Sequence, residues 1–179
     1  VNGNAVPPFL FFGNVSGQKE QRRVASEVER ASKAGVHVQS TLIDLVCPIP
    51  PDDTVYETTD TRLQAIIDAD PRAMLMPRIV FVPAPGWRQQ YPNEVNHYAD
   101  GSTDDPSLAS DMFWTDAVNA LRALVEHILR TTYGERVIGF HLERGEWFQP
   151  ADLGYDRSYA NREGFRQWLR AKYHNSEVA

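Results

Sequence analysis

Apolar and polar positions along the chain predict strands and helices in turn. Residues 9–15 form an almost continuous apolar run, which is typical of a strand buried on both faces. Residues 18–34 repeat apolar side chains at steps of three and four, which predicts a helix, and Gly35 is placed to end it. The β-branched stretch 36–46 predicts a second strand, with Asp44 near its end. The chain therefore opens with a strand–helix–strand unit.

The same alternation continues to the end of the chain. It predicts a short helix, a third strand, a long loop, a helix capped by Ser110, a fourth strand and a last helix that begins at Ser158. The predicted ranges of the first five are 61–69, 73–82, 83–109, 110–133 and 137–148. Pro77 interrupts the third strand. In the last helix Trp168 shares a face with Phe165, and we expect it to lie in the core.

Four strands that alternate with helices predict an α/β fold with right-handed crossovers and a mainly parallel sheet. Two arrangements satisfy this order, a doubly wound sheet and a (β/α)8 barrel of which four units are present. Residues 13–17 lack the Gly-rich dinucleotide fingerprint, so the pattern gives little support to nucleotide binding. We predict a single domain over 1–179, the first four units of a TIM-type (β/α)8 barrel, with a turn segment at 1–8.

Composition and charge narrow the classes of partner. The chain has 179 residues, 42% hydrophobic and 23% charged, as in soluble globular proteins. A net charge of −6 disfavours nucleic acid and anionic membranes, and no apolar run approaches the ~20 residues of a membrane span. The five histidines lack the paired spacing of a zinc site, so we predict no metal and no cofactor. The sequence defines no cellular compartment.

The fourth predicted strand runs into two acids, Glu143 and Glu146. In parallel α/β folds the carboxyl ends of strands carry the chemistry. An acid beside Trp147 and Phe148 would be partly desolvated, which favours the protonated form that a general acid needs. The alternative is a surface glutamate whose aromatic neighbours fill the core.

Arg78 lies in the otherwise apolar third strand, where a buried guanidinium needs a partner. Two interpretations are open. Arg78 either neutralises a nearby carboxylate or points out of the barrel layer.

Several short motifs occur in an order that is typical of one family. They are Pro85-Gly86-Trp87, Tyr98-Ala99-Asp100-Gly101, the stretch 133–140, Gly145-Glu146-Trp147-Phe148 and the stretch 165–173. In these motifs the chain resembles the N-terminal half of a clan A glycoside hydrolase barrel, and it is similar to the β-galactosidase-like enzymes of glycoside hydrolase family 42. The resemblance covers nearly all of this chain but about half of a family barrel.

The resemblance implies a retaining hydrolase whose acid/base glutamate follows strand four and whose nucleophile follows strand seven. Glu146 falls at the first position, and the second has no counterpart in this chain. Gly145 stands where the family usually has asparagine, which leaves Glu143 as the alternative acid/base. Because retention needs two carboxyl groups, we expect the chain alone to be inactive and to require a complementary barrel half or self-association.

A carbohydrate substrate would be bound by aromatic rings that stack on sugars and by polar groups near strand ends. The candidates are Asn14, Asp44, Arg78, Trp87, Tyr98 and Trp147. For Trp87 a packing role is equally open. Two other classes remain as alternatives, a non-catalytic carbohydrate-binding or scaffold domain and a small-molecule α/β domain. The sequence does not define the sugar or the linkage.

Overall fold

The computed structural model describes residues 9–13, 18–50, 54–143 and 155–173. Strands β1 to β7 are, in chain order, Leu10–Gly13, Val38–Cys47, Met74–Leu75, Arg78–Pro83, Val95–His97, Thr103–Pro106 and His141–Glu143. Helices α1 to α5 are Gln18–Lys33, Thr54–Ala69, Trp87–Gln90, Asp111–Ile128 and Tyr159–Lys172. The predicted α/β class is confirmed. In the described part of the chain, no helix is both long and apolar enough to cross a membrane.

The main sheet is parallel, and its strands lie in the order β1-β2-β4-β7, with β3 paired to β2. Strands β3 and β4 correspond to the single third strand that the sequence predicts, and Met76 and Pro77 separate them. In register, Leu42 of β2 is the partner of Arg78, which in turn is the partner of His141. The sheet therefore follows chain order from one edge to the other.

One face of this sheet carries the hydrophobic core. Its strand residues alternate along β2 and β4, and they are Ile43, Leu45, Cys47, Ile79 and Phe81. The same core cluster contains residues of α1, α2 and α4, including Val24, Val28, Leu63, Ile66, Phe113 and Leu124. Since side chains alternate across a strand, the positions between them lie on the opposite face. We call this opposite face the second face; it carries Phe12, Asp44, Arg78, His141 and Glu143.

Helices α4 and α5 begin where the sequence predicts. Ser110 Oγ accepts a hydrogen bond from Phe113 N at 3.1 Å, and Ser158 Oγ accepts one from Asn161 N, also at 3.1 Å. Both serines are therefore N-caps. Helix α4 ends at Ile128, earlier than predicted, and the chain then turns tightly. A Cβ at Gly134 would lie 2.5 Å from the Ile128 carbonyl oxygen, so the turn requires glycine there.

Strand β1 corrects one prediction. The sequence indicates a strand buried on both faces, but Phe12 is 46% exposed. The reason is position, because β1 lies at the edge of the sheet.

The prediction that Trp168 of helix α5 lies in the core is wrong. Trp168 is 52% exposed instead of lying in the core. Among the described helix residues only Ala160 is buried, so the periodic apolar face of this helix is not covered by the sheet.

The predicted long loop contains structure of its own. Helix α3 is followed by an antiparallel pair, β5 and β6. Asp156 anchors this region because its Oδ1 accepts from His97 N at 3.1 Å and its Oδ2 accepts from Ser107 Oγ at 2.6 Å. Asp156 also accepts from Ser158 N at 2.8 Å, which joins the pair to the start of α5.

A polar cluster fixes the amino-terminal side of β2. The fully buried Asp70 accepts hydrogen bonds from Ser32 Oγ at 3.0 Å, Arg72 N at 3.1 Å and Gln39 Nε2 at 3.3 Å. His37 Nδ1 lies 2.9 Å from Asp70 Oδ2. Burial raises the pKa of Asp70, but the hydrogen bonds it accepts outweigh burial, so that its pKa lies below the ordinary value. Asp70 thereby joins α1, β2 and α2.

Replacement of this carboxylate should destabilise the fold in a pH-dependent way. We expect Asp70→Asn to lower the free energy of unfolding by roughly 1–3 kcal/mol, because buried donors lose a charged acceptor. The folded pKa is depressed, so the stabilisation is present above about pH 4, the ordinary value of an unfolded aspartate, and disappears as pH falls through the folded pKa. Urea unfolding of both proteins between neutral and acidic pH measures this. The exposed Asp68→Asn is the matched control; an Asp70→Asn deficit that persists unchanged in acid would contradict the assignment.

Candidate functional site

A buried ion pair between Arg78 and Glu143 occupies the second face. Arg78 begins β4 and Glu143 ends β7. Arg78 Nη1 lies 3.0 Å from Glu143 Oε1, and Nη2 donates to the Gly13 carbonyl oxygen at 3.0 Å. The two side chains are only 4% and 9% exposed. One guanidinium thus joins β7 on one side of β4 to β1, which lies beyond β2 on the other side.

Two further side chains complete this cluster. The Phe12 ring covers the guanidinium, with 3.4 Å between Arg78 Cζ and the ring centroid, so a cation–π contact adds to the ion pair. His141 Nδ1 lies 3.5 Å from Glu143 Oε1. Of the two interpretations of Arg78, neutralisation of a carboxylate is the one found. We name Phe12, Arg78, His141 and Glu143 the arginine cluster.

Asp44 lies in the same row of the sheet as Glu143, with Val80 between them. Its side chain is half exposed, and Arg62 Nη1 is 4.0 Å away. Arg62 also donates to the Leu42 carbonyl oxygen at 2.8 Å. Two carboxylates of one row therefore have different environments, one exposed and one buried against a guanidinium.

Glu143, the alternative acid/base, has a defined role in this arrangement. It is the counter-ion of a buried guanidinium, and loss of that contact would leave Arg78 uncompensated. The first-choice acid/base Glu146 lies outside the described residues, as do Trp147 and Asn14.

The two described aromatic candidates are buried. Trp87 packs edge-on against Phe113 with 5.5 Å between ring centroids, and its Nε1 donates to Asp116 Oδ2 at 3.2 Å. Tyr98 is also buried, and its hydroxyl accepts a long hydrogen bond from Asn96 Nδ2 at 3.4 Å. For Trp87 this favours the packing role that the sequence left open.

A second polar cluster joins α2 to α4 on the core side. Asp60 Oδ1 lies 2.8 Å from His127 Nε2 and also accepts a short hydrogen bond from the Tyr133 hydroxyl. The Tyr56 ring stacks on His127 with 4.2 Å between centroids. Burial raises the pKa of Tyr133 well above its usual range, and the neighbouring Asp60 raises it further. This cluster stabilises helix packing.

Sequence reasoning did not single out Phe12, His141 or the Gly13 carbonyl as parts of a site. Their proximity to Arg78 depends on strand order and register, which a local pattern does not give. The sequence provides only a weaker signal for these partners. A buried arginine inside an apolar strand requires a hydrogen-bond acceptor and side chains that shield it from water.

The described residues contain no group of three histidine, cysteine, aspartate or glutamate side chains that could hold a metal ion. Cys47 is buried, and its Sγ lies 3.3 Å from the Leu45 carbonyl oxygen. The ionisable groups described on the second face are two carboxylates, a guanidinium and an imidazole.

No model of a known protein family matches this chain, and a search of curated proteins gives no match either. Inference about function therefore depends on the residues and the geometry described above.

The buried ion pair gives a direct test of the arginine cluster. We expect Glu143→Gln to lower the free energy of unfolding by about 3–5 kcal/mol, because a buried guanidinium loses its counter-charge. The double variant Arg78→Met/Glu143→Leu should recover most of that loss, since apolar side chains of similar volume replace the pair. Urea unfolding of Arg78→Met, Glu143→Leu and the double variant measures the coupling between the two side chains.

The exposed pair Arg88–Asp105 is the matched control. Asp105→Asn should change stability by no more than about 1 kcal/mol. Equal effects of Glu143→Gln and Asp105→Asn would show that the Arg78–Glu143 pair is not buried as described.

Substitution of Trp87 distinguishes a packing role for this side chain from a ligand-binding role. We expect Trp87→Ala to cost about 3–5 kcal/mol of stability because the indole fills the core between α3 and α4. Trp87→Phe, which keeps most of the ring but loses the contact to Asp116, should cost less. Thermal unfolding of both variants checks this, and an Ala variant as stable as the natural protein would argue for an exposed ring.

Proposed function

We propose that this chain is one half of a retaining, β-galactosidase-like glycoside hydrolase barrel and that it supplies the acid/base glutamate, Glu146. The order of the strands in the main sheet is the observation that supports this proposal. The main sheet runs β1-β2-β4-β7 in chain order, all parallel, and its apolar core lies on one face. A doubly wound nucleotide-binding sheet reverses its order at a switch point, whereas a (β/α)8 barrel keeps chain order and packs its helices outside.

In this proposal the second face lines the interior of the barrel. A buried ion pair is compatible with that position, because the interior of a barrel is a packed core shielded from water. Arg78 fixes the end of β1 through Gly13 and the end of β7 through Glu143. The strand ends that would carry catalytic loops are thus held relative to one another, which is the support that a catalytic group needs.

Glu146 follows Glu143, the last residue of β7, by three positions in the sequence. As acid it would protonate the leaving oxygen of the glycoside, and as base it would then take a proton from the attacking water. The nucleophile, a carboxylate about 5–5.5 Å away, would come from the complementary half of the barrel. Both catalytic groups are carboxylates, so the reaction requires neither metal nor cofactor. Glu143 stays paired with Arg78 throughout.

One observation favours the second candidate, a non-catalytic carbohydrate-binding or scaffold domain. The described acid nearest the strand end is neutralised by Arg78, and Trp87 packs in the core. A domain that had lost catalysis would retain such a stabilising pair.

Turnover of aryl glycosides separates the two candidates. In the full-length natural protein, or in the reassembled halves, we expect Glu146→Gln to lower kcat/KM by roughly 10²–10⁴-fold on a substrate with a poor leaving group, because general acid catalysis is lost. The loss should be much smaller with a highly activated aryl leaving group, which departs without protonation. Steady-state kinetics on the two substrates measure the difference.

Glu135→Gln, an exposed glutamate before β7, is the matched control and should leave both rates unchanged. Normal turnover by Glu146→Gln on both substrates would refute the acid/base assignment. Sugar binding without any hydrolysis would favour the non-catalytic domain.

A further inference from the structure

Arg62 of helix α2 is a second buried guanidinium, and it is compensated far less completely than Arg78. Its side chain is 12% exposed, and its Nε is buried without a hydrogen-bond partner. In the described part of the chain it donates one hydrogen bond, from Nη1 to the Leu42 carbonyl oxygen at 2.8 Å. The carboxylate of Asp44 is 4.0 Å from the same nitrogen. Because a buried charge requires close counter-charges and acceptors, Arg62 has donors to offer a ligand.

Arg62 lies just beyond the carboxyl end of β1. Strand β1 ends at Gly13, and Arg62 binds the carbonyl of Leu42, which follows the β2 partner of Gly13. Backbone carbonyls alternate in direction along a strand. The Gln39 carbonyl accepts from Met76 N on the β3 side, so the Leu42 carbonyl, three positions later, points to the β1 side. The guanidinium therefore occupies the end of a parallel strand, where α/β folds bind ligands.

Asp44 presents the complementary group at the same place. It lies on the second face, its side chain is 53% exposed, and no described residue donates a hydrogen bond to it. Asp44 and Arg62 thus hold a charged acceptor and a charged donor side by side. A hydroxyl group both donates and accepts hydrogen bonds, so adjacent hydroxyl groups of a sugar ring match this pair.

The charges at these strand ends favour a neutral ligand. Two guanidinium groups and two carboxylates are described there, namely Arg62, Arg78, Asp44 and Glu143. Their charges cancel, and His141 is charged only when it is protonated. An anion that approached Arg62 would meet Asp44, and a cation that approached Asp44 would meet Arg62, so either ion would be repelled. A neutral polyol such as a sugar meets no such repulsion.

We propose that Asp44 and Arg62 bind adjacent hydroxyl groups of one sugar ring of the substrate, Asp44 as acceptor and Arg62 as donor. This role rests on the proposed hydrolase function, which supplies the sugar. It adds a residue of helix α2 to a site whose other candidates lie near strand ends. A pair kept for stability alone would be in closer contact, as Arg78 and Glu143 are at 3.0 Å.

Calorimetric titration of the full-length natural protein, or of the reassembled halves, with methyl galactoside tests the pair. We expect Asp44→Asn and Arg62→Met each to raise the dissociation constant by roughly tenfold or more, because each removes a hydrogen bond to a charged group. Asp105→Asn, in the exposed Arg88–Asp105 pair, is the matched control and should leave binding unchanged.

Charged sugars give a readout that a purely structural role would not move. The probes are the corresponding galacturonide, which is anionic, and an amino-deoxy galactoside, which is cationic. The titrations are run at about pH 8, above the ordinary range of an imidazole. The natural protein should prefer the neutral sugar. Asp44→Asn should shift the preference towards the anionic sugar and Arg62→Met towards the cationic one, since each variant leaves one charge of the pair unbalanced.

Thermal unfolding separates a ligand-binding role of Arg62 from a structural one. Arg62→Met should change Tm far less than Arg78→Met, because an apolar side chain replaces a poorly compensated guanidinium, whereas Arg78→Met leaves Glu143 buried without its counter-ion. An equal loss of Tm in the two variants would show that Arg62 serves the fold and would overturn the proposal.

The same titrations distinguish failure of this pair from failure of the hydrolase assignment. Glu146→Gln should bind methyl galactoside as the natural protein does while it loses turnover. Normal turnover by Glu146→Gln, with binding that still depends on Asp44 and Arg62, would refute the acid/base assignment and leave the pair in place. Unchanged binding by both Asp44→Asn and Arg62→Met, or no binding of the neutral sugar by the natural protein, would overturn the role of the pair.

Discussion

A guanidinium withdrawn from water must be compensated, and Arg78 of β4 imposes that requirement on strands β1 and β7. Removing a charge from water costs several kcal/mol even after relaxation, so the contacts around it are not optional. Glu143 supplies the counter-charge, the Gly13 carbonyl accepts a second hydrogen bond, and Phe12 covers the plane. These partners come from opposite edges of the main sheet. The register between strands is therefore specified by a polar contact on one face as well as by apolar packing on the other.

Local patterns in the sequence predict the elements that depend on local physics. Helix α1 follows from its apolar spacing, and it ends before Gly35, whose φ of 84° suits the end of a helix. The caps of α4 and α5 follow from Ser110 and Ser158. The parallel sheet follows from alternation of strands and helices, because parallel strands need long crossovers.

The remaining features depend on contacts between residues that are distant in sequence. Arg78 and Glu143 are 65 positions apart, and the sequence shows that Arg78 needs a partner without showing which one. Periodicity places Phe165 and Trp168 on one side of α5 but does not say what covers that side. The β5–β6 pair was missed because its strands are short and their partners lie across a turn. Of the candidate site, a fourth strand that contains Glu143 could be predicted, although it begins at His141 and not at Val137. The environment of each carboxylate required the fold.

Asp156 has a consequence for how this protein could change over time. The segment 144–154 runs between Glu143, which is held by Arg78, and the described residues around Asp156, which are held by His97 and Ser107. The described residues on either side of the segment are thus held by contacts in which its own side chains take no part. Substitutions within 144–154 therefore leave these flanking contacts in place as long as Glu143 and Asp156 are kept. A lineage of such proteins could therefore vary positions 144–154 while the contacts that hold the main sheet and the β5–β6 pair on either side stay the same.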